Sequence, residues 1–328
     1  MQKALVTGAG GYLASRLARI LAEDGVQVRA LFRSKSNADL VHPNIELVNG
    51  DLTDVEKLPE IIQGCTHVFH TAAFASNWAK DPSIFYKMNV EMAVNLFDAC
   101  FENGVQRVVF TSSAGVIGPS DDGILVTENH QRKTRFFGDY EKSKFEAEQK
   151  VKSLVAEKGF DIVMVNPTRI YGPGVRGKSN SVTEIIERYI NRKWKIRLGS
   201  GQEIANYGFV DDVARGHILA MQNGRKGERY ILGGDNVSFD GFIQIISETS
   251  GVKNKLFTVP FAVLAGYTRI ESLFPYVGLS PMLTYDWVEK LQNNWGADLT
   301  KAKTELGYSP RSLQQGVEET INWLRKNG

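Results

Sequence analysis

The chain has 328 residues and a formal charge of +2, from 39 Lys and Arg against 37 Asp and Glu. That length can bury a large core, as one α/β unit or as two subdomains. The near balance of charge, with no basic stripe interleaved with aromatics, excludes a nucleic-acid groove.

Lys3-Ala4-Leu5-Val6-Thr7 already reads as a strand, which leaves no room for a charged-then-apolar leader. Short apolar strands are expected at Ala4–Val6, Val26–Phe32, Ile45–Val48, Val68–His70, Val108–Thr111 and Ile162–Val165, bounded by turn residues. Helices fall between them. Leu13, Leu17, Ile20 and Leu21 form one apolar stripe, and Val90, Val94, Leu96 and Phe97 form another that ends near Asn103-Gly104. A further helix carries Lys144, with Phe145, Leu154 and Val155 as its core contacts. Six strands in this alternation predict an α/β protein with a doubly wound parallel sheet, the Rossmann type of dinucleotide fold.

After Pro167 the pattern changes. Gly172-Pro173-Gly174 is a turn, Glu184–Ile190 a helix, Gly199-Ser200-Gly201 a polar turn, Val210–Met221 a helix and Tyr230–Leu232 a strand, with the remainder mostly helical. This divides the chain into a dinucleotide-binding domain over 1–171, to which 206–235 returns, and a smaller, mostly helical substrate region over 172–205 and 236–328. The most apolar late stretch, from Leu256 to Trp287, is broken by Pro260, Arg269, Glu271, Pro275 and Pro281, so no membrane span of about 20 apolar residues is expected. Cys65 and Cys100 form no C-x-x-C pair and read as buried thiols, which points to a reducing cytoplasm. His42, His67, His70, His130 and His217 show no ligand spacing, and no metal is expected.

Two segments carry chemistry. The first strand runs into Thr7-Gly8-Ala9-Gly10-Gly11-Tyr12-Leu13-Ala14. Gly8 permits the tight turn, Gly11 lacks a Cβ that would block a pyrophosphate, and Tyr12 and Leu13 start a helix whose N–H groups face it. At the end of the second strand an NAD-preferring site carries an acid for the ribose 2′-hydroxyl. This chain has Arg33, Ser34 and Lys35 instead, a set that suits the 2′-phosphate of NADP. Asp51 and Leu52 follow the third strand, where Asp51 either meets an adenine amino group or caps the next helix.

The second segment is Tyr140-Glu141-Lys142-Ser143-Lys144. A lysine four residues on lies on the same helical face, where its charge favours the phenolate. Tyr189 and Lys193 share the spacing, but only Tyr140 starts the helix after Phe110-Thr111-Ser112-Ser113, at the carboxyl edge of the sheet. Ser113 is positioned to hydrogen-bond a substrate carbonyl oxygen, with Ser112 and Thr111 as competing hydroxyls.

Together these residues resemble the extended short-chain dehydrogenase/reductase family over almost the whole chain. The matching segments include the glycine loop, Gly50-Asp51-Leu52, Val68 to Ala73, Asn89-Val90, the Ser113 segment, Tyr140 with Lys144, Asn166-Pro167-Thr168, Gly208 to Ala214 and Leu306 to Pro310. Ala14 departs from the usual third glycine. The resemblance implies that Thr71, Ala72 and Ala73 lie beside the cofactor, that Pro167 and Thr168 hold the nicotinamide, and that Tyr140, Ser113 and Lys144 are catalytic. It also implies a homodimer face on the Tyr140 helix. Within the family the chain is most similar to dihydroflavonol-reductase-like carbonyl reductases, which use NADPH.

Nucleotide-sugar epimerases and dehydratases, which hold NAD tightly, are the alternative. Their phosphate-gripping arginine is matched here by Ala205, although Arg176, Lys178 and Arg197 remain as phosphate ligands. A 3β-hydroxysteroid-dehydrogenase-like oxidoreductase and a non-catalytic NADP(H) sensor complete the alternatives. The expected partner is a small hydrophobic or aromatic carbonyl compound. Its pocket is expected along Phe74 to Trp78, at Phe136 and Phe137, and in Phe257–Tyr285.

Overall fold

In the computed structural model, residues 1–33, 38–120, 123–177, 180–274, 281 and 283–327 are described. The first half alternates β1 (Lys3–Thr7), α1 (Tyr12–Glu23), β2 (Gln27–Phe32), β3 (Ile45–Asn49), α2 (Leu58–Ile62) and β4 (His67–His70). It continues through α3 (Ser83–Tyr86), α4 (Met92–Glu102), β5 (Arg107–Thr111), α5 (Ala114–Ile117), α6 (Asp139–Lys158) and β6 (Ile162–Pro167). All six strands expected there form within a residue or two of their predicted ends.

With β10 (Arg229–Leu232) these strands make one seven-stranded sheet in the order β10-β6-β5-β4-β1-β2-β3, and every pairing is parallel. Successive strand residues face opposite sides, so each strand feeds two cores. Ala4 and Val6 of β1, and Val163 and Val165 of β6, join the cluster under α1. Leu5 of β1, and Ile162 and Met164 of β6, join the cluster under α2, α4 and α6. Leu17 and Leu21 of α1 are fully buried, each worth roughly 1.5–3 kcal/mol of transfer.

The second half begins with β7 (Arg169–Tyr171), α7 (Ser181–Ile190), β8 (Ile196–Leu198), β9 (Ile204–Phe209) and α8 (Val210–Asn223), which returns to pack on α1. After β10 come β11 (Asp235–Ser238), α9 (Phe239–Ser250), β12 (Phe257–Val259), α10 (Phe261–Glu271), α11 (Tyr285–Leu291) and α12 (Leu313–Asn327). Of the segment expected to return to the main sheet, β10 joins it, while β9 pairs with β7 and β11 in a three-stranded sheet. β8 and β12 form a two-stranded pair. The helices α7, α9 and α12 bury Ile186, Phe242, Ile246, Val317 and Ile321 against Ala205, Tyr207 and Phe209.

Among the described residues, no helix is long and apolar enough to cross a membrane, and no cluster of His, Cys, Asp and Glu could hold a metal ion. Cys65 and Cys100 are buried and free.

Candidate active site

In an open parallel sheet, ligands bind beyond the carboxyl ends of the strands where the strand order reverses, here between β1 and β4. Thr7 ties the two strand ends together. Its hydroxyl accepts from the N–H groups of Thr71 and Ala72, both at 3.2 Å, while the Thr71 hydroxyl donates to the Thr7 carbonyl. It therefore donates to His70 Nδ1 at 2.9 Å. Burial lowers the His70 pKa to about 3, so the ring stays neutral, packed against Phe97 and Phe110.

Gly8 sits at φ +69°, and a Cβ there would stand 2.9 Å from the Ala72 Cα. Gly11 begins α1 with no side-chain cap. A helix start without a cap, beside a cradle that a single methyl would fill, fits a dinucleotide pyrophosphate. Both glycines line a cavity of about 1100 Å³ that runs from Arg33 and Asp51, past Thr71, Ala72 and Ala73, to Ser113, Tyr140, Pro167 and Thr168. Tyr12, Leu13 and Leu52 line it too. Tyr12 is buried, its hydroxyl donating to the Gly172 carbonyl at 2.9 Å, and burial holds its phenol well above the usual range.

At the far end Arg33 is exposed, with its guanidinium 4.0 Å from the Asp51 carboxylate. The other Asp51 oxygen accepts from the Thr53 N–H and hydroxyl, both at 2.9 Å, which lowers the carboxyl pKa. Asp51 thus closes a local turn onto Thr53 rather than capping the next helical segment, which begins at Val55 after Asp54. Ser34 and Lys35, expected beside Arg33, lie outside the described residues.

The three hydroxyls after β5 separate clearly. Thr111 is engaged with Nε2 of the buried His217 at 3.0 Å, and the Ser112 hydroxyl is buried without a partner. Ser113 caps α5 by accepting from the Gly115 N–H at 3.1 Å, and its hydroxyl also reaches the Tyr140 phenol. Tyr140 is half-buried and faces the cavity. Burial and then the Glu141 charge push its pKa up to about 12, while Ser113 draws it down.

Lys144 is buried, with Nζ 4.2 Å from the centre of the Phe110 ring. Burial pulls its pKa down to about 7, against the opposing pull of Glu148. Ser113 is the neighbour that draws the phenol toward greater acidity, against burial and the Glu141 charge.

A frame of polar side chains holds these groups. Asn89 accepts from the Phe74 N–H at 2.7 Å and donates to the Ser143 hydroxyl at 2.9 Å, joining the loop after β4 to α6. Asn166 donates to the Ser113 carbonyl at 3.0 Å and to Glu148 at 2.7 Å, and Arg229 pairs with that same carboxylate at 3.2 Å. Glu141, buried beside Tyr140, pairs with Arg132 at 2.9 Å and with Lys290 of α11 at 2.7 Å.

Beyond Tyr140 the cavity walls are largely apolar. Phe74, Ala75, Ser76 and Asn77 line it as expected, but Trp78 does not. Phe136 and Phe137 do not reach it either. Phe136 packs on Phe145 and under the Arg132 guanidinium, and Phe137 packs on Trp295. From Phe257–Tyr285, Leu264 and Leu283 reach the wall. The rest comes from residues that the sequence did not single out, among them Ile185, Trp194, Phe242 and Trp287, and from the polar residues Arg169 and Glu203.

Ala205 is buried in the core under β9 and does not line the cavity. Arg197 is held by Asp240 at 2.9 Å and by Thr258, Arg176 pairs with Glu187 at 3.1 Å, and Lys178 lies outside the described residues. Tyr189 is buried, with Asn254 donating to its carbonyl at 2.7 Å.

A parallel sheet of this order, with a glycine cradle opening into the same cavity as a serine and a tyrosine, is that of a dinucleotide-dependent oxidoreductase. The model of the NAD dependent epimerase/dehydratase family matches residues 4–233. The chain belongs to that family, within the extended short-chain dehydrogenases/reductases, as an NAD(P)-dependent oxidoreductase acting on alcohol and carbonyl groups. It is 35% identical over 330 residues to a putative dihydroflavonol 4-reductase of Synechocystis sp., covering 98% of this chain and 94% of the relative. It is 30% identical to the 4-hydroxy-2-methyl-3-oxo-4-farnesyl-3,4-dihydroquinoline-1-oxide ketoreductase of Stigmatella aurantiaca, covering 96% and 95%. Among solved structures, gox2253 superposes with a TM-score of 0.84 at 32% identity, covering 100% of this chain and 99% of that one.

Proposed function

We propose that the protein reduces the carbonyl of a small, largely apolar ketone or aldehyde, with NADPH as the hydride source. The observation that carries this reading is the convergence of the Tyr140 phenol and the Ser113 hydroxyl on one cavity whose far wall is mainly apolar. With its pyrophosphate in the Gly8–Gly11 cradle, the bound cofactor would supply a hydride from its nicotinamide to the carbonyl carbon.

The chain's own groups do the rest. Ser113 donates a hydrogen bond to the carbonyl oxygen, and Tyr140 delivers a proton as negative charge develops there. A phenol with a pKa of about 12 is fully protonated at neutral pH, which suits it to the acid role of reduction. Lys144 stands behind Tyr140 on the same helix and, when charged, favours the phenolate left after transfer. Pro167 ends β6 and Thr168 follows it, both on the cavity wall, where they would hold the nicotinamide ring; Thr168 is fixed by donating to Asn206 at 2.8 Å.

For the cofactor, the 4.0 Å Arg33–Asp51 approach is too long for a hydrogen bond, so the guanidinium keeps its donors for a 2′-phosphate. For the substrate, Ala205 buried in the core leaves no arginine at the position of the epimerase clamp. The Stigmatella relative's name specifies an oxo compound bearing a farnesyl chain, in keeping with an apolar wall.

The deciding experiment offers NADPH and NADH, each with a panel of aromatic and aliphatic carbonyls and with UDP-sugars. Oxidation of NADPH by carbonyls, at least tenfold faster than of NADH, is the expected result. Interconversion of sugars without net consumption of the cofactor would replace this reading with the epimerase one.

A further inference from the structure

Four cationic side chains line the cavity: Arg33, Arg169, Arg188 and Lys290. Three of them have a carboxylate within 4.0 Å. Arg188 pairs with Glu184 at 2.6 Å and Lys290 with Glu141 at 2.7 Å, whereas Arg33 reaches Asp51 only at that limit and is set apart by its place at the far, cofactor end of the cavity. Among the described residues, Arg169 is the one cavity-lining cation without such a partner. Glu203, also on the cavity wall, accepts instead from the Ser200 hydroxyl at 2.9 Å.

Arg169 is not loose. It opens β7, two residues beyond Pro167, and is in register with Tyr207 of β9. Its guanidinium lies beside the Tyr207 phenol and favours that group's ionised form. Tyr207 is itself buried and stacked on Phe242, with ring centres 4.6 Å apart and planes 8° from parallel. A guanidinium thus stands beside a stacked phenol on a cavity whose other walls are mainly apolar. A half-buried cation in such surroundings has shed part of its hydration and gains most from an oxyanion, with two parallel N–H donors to offer it.

We propose that Arg169 is a recognition site for an oxyanion on the substrate, a carboxylate or a phosphate attached to an apolar body. The site rests on the reductase reading for its purpose, but not for its existence, since binding can be read without turnover. An oxo acid with a hydrocarbon chain has the required chemistry: the carbonyl faces Tyr140, the chain meets the apolar wall, and the acid group meets Arg169.

The test uses decanoate, decyl phosphate and decanol as probes on the NADPH-loaded protein, read by the fluorescence of the cavity tryptophans Trp194 and Trp287. Decanoate or decyl phosphate should bind the parent at least tenfold tighter than decanol, and whichever is tighter identifies the oxyanion. Arg169→Gln should abolish that preference while leaving NADPH affinity unchanged, and Arg169→Lys should keep part of it. Equal binding of all three probes by the parent, no binding at all, or a preference that survives Arg169→Gln would overturn the proposal. A loss of NADPH affinity in Arg169→Gln would also overturn it, by assigning the guanidinium to the cofactor. A preserved oxyanion preference with no carbonyl reduced would sink the reductase reading and leave this site standing.

Discussion

Tyr140 and Lys144 occupy adjacent turns of one helix but meet opposite surroundings. The phenol faces the cavity, whereas the ammonium lies beneath the surface against Phe110. If Tyr140 donates the proton as proposed, Tyr140→Phe, which removes that proton and keeps the ring, should lower turnover by about 10²–10⁴ while cofactor affinity holds. Single-turnover rates beside a cofactor titration check both halves of that expectation.

Lys144 adds a signature in stability. Its folded pKa of about 7 lies below the ordinary 10.5, so between those values the unfolded chain binds the extra proton. Stability should therefore rise with pH across this window, by about 1.4 kcal/mol per unit, and fall again as pH drops toward 7. Lys144→Met should flatten the rise, which urea midpoints at pH 7, 8 and 9 would reveal.

The sequence held the spacing of this pair, but the same spacing recurs at Tyr189 and Lys193. Position after the β5 edge separated the two, and Tyr189 is indeed enclosed by the later helices. Arg169 went unnoticed because an arginine beside a recognised Asn-Pro-Thr segment carries no periodic signal. Only its missing counter-ion, a three-dimensional fact, marks it out.

At the scale of elements, α6 shows where pattern reading fails. Its buried face includes Glu141, Ser143, Lys144 and Glu148 alongside Ala147, Val151 and Leu154. A helix that turns charged residues inward cannot be aligned by hydrophobic spacing, and the expected contact Phe145 is only half-buried, packed on Phe136. The turn from β1 to α1 behaves in the opposite way, because its glycines state their reason openly. Gly8→Ala should cost about 1–2 kcal/mol for the left-handed backbone alone, with the 2.9 Å approach to Ala72 in addition. Affinity for the reduced nicotinamide cofactor should fall at least tenfold in the same variant, as read by cofactor fluorescence. Asn89→Ala would strand the Phe74 N–H and loosen the loop that lines the cavity, at a cost of about 1–3 kcal/mol in chemical denaturation.

Over the whole molecule, the main sheet was legible because its central strands are apolar on both faces and its strands alternate with helices. The three-stranded sheet was not. β7 has three residues, β11 reads Asp-Asn-Val-Ser, and β9 follows a polar turn, so no window carries a strand pattern. These strands form because α7, α9 and α12 cover them, a condition set by distant sequence.

The C-terminal segment closes that arrangement. Tyr308 donates to the Gly233 carbonyl at 2.6 Å, and Arg311 grips the mostly buried Asp212 carboxylate through its side chain and its backbone N–H. Arg311→Ala should lower stability by about 1–3 kcal/mol, since it leaves Asp212 without its cation. Thermal unfolding of both forms would test this.

The shared hold of Arg132 and Lys290 on Glu141 bears on how the cavity exchanges its contents. Swinging α11 outward would part Lys290 from a carboxylate that is 1% exposed and next to Tyr140 in the chain. Moving α11 would therefore cost the Lys290 half of a pair to a buried carboxylate and leave Arg132 as its cation.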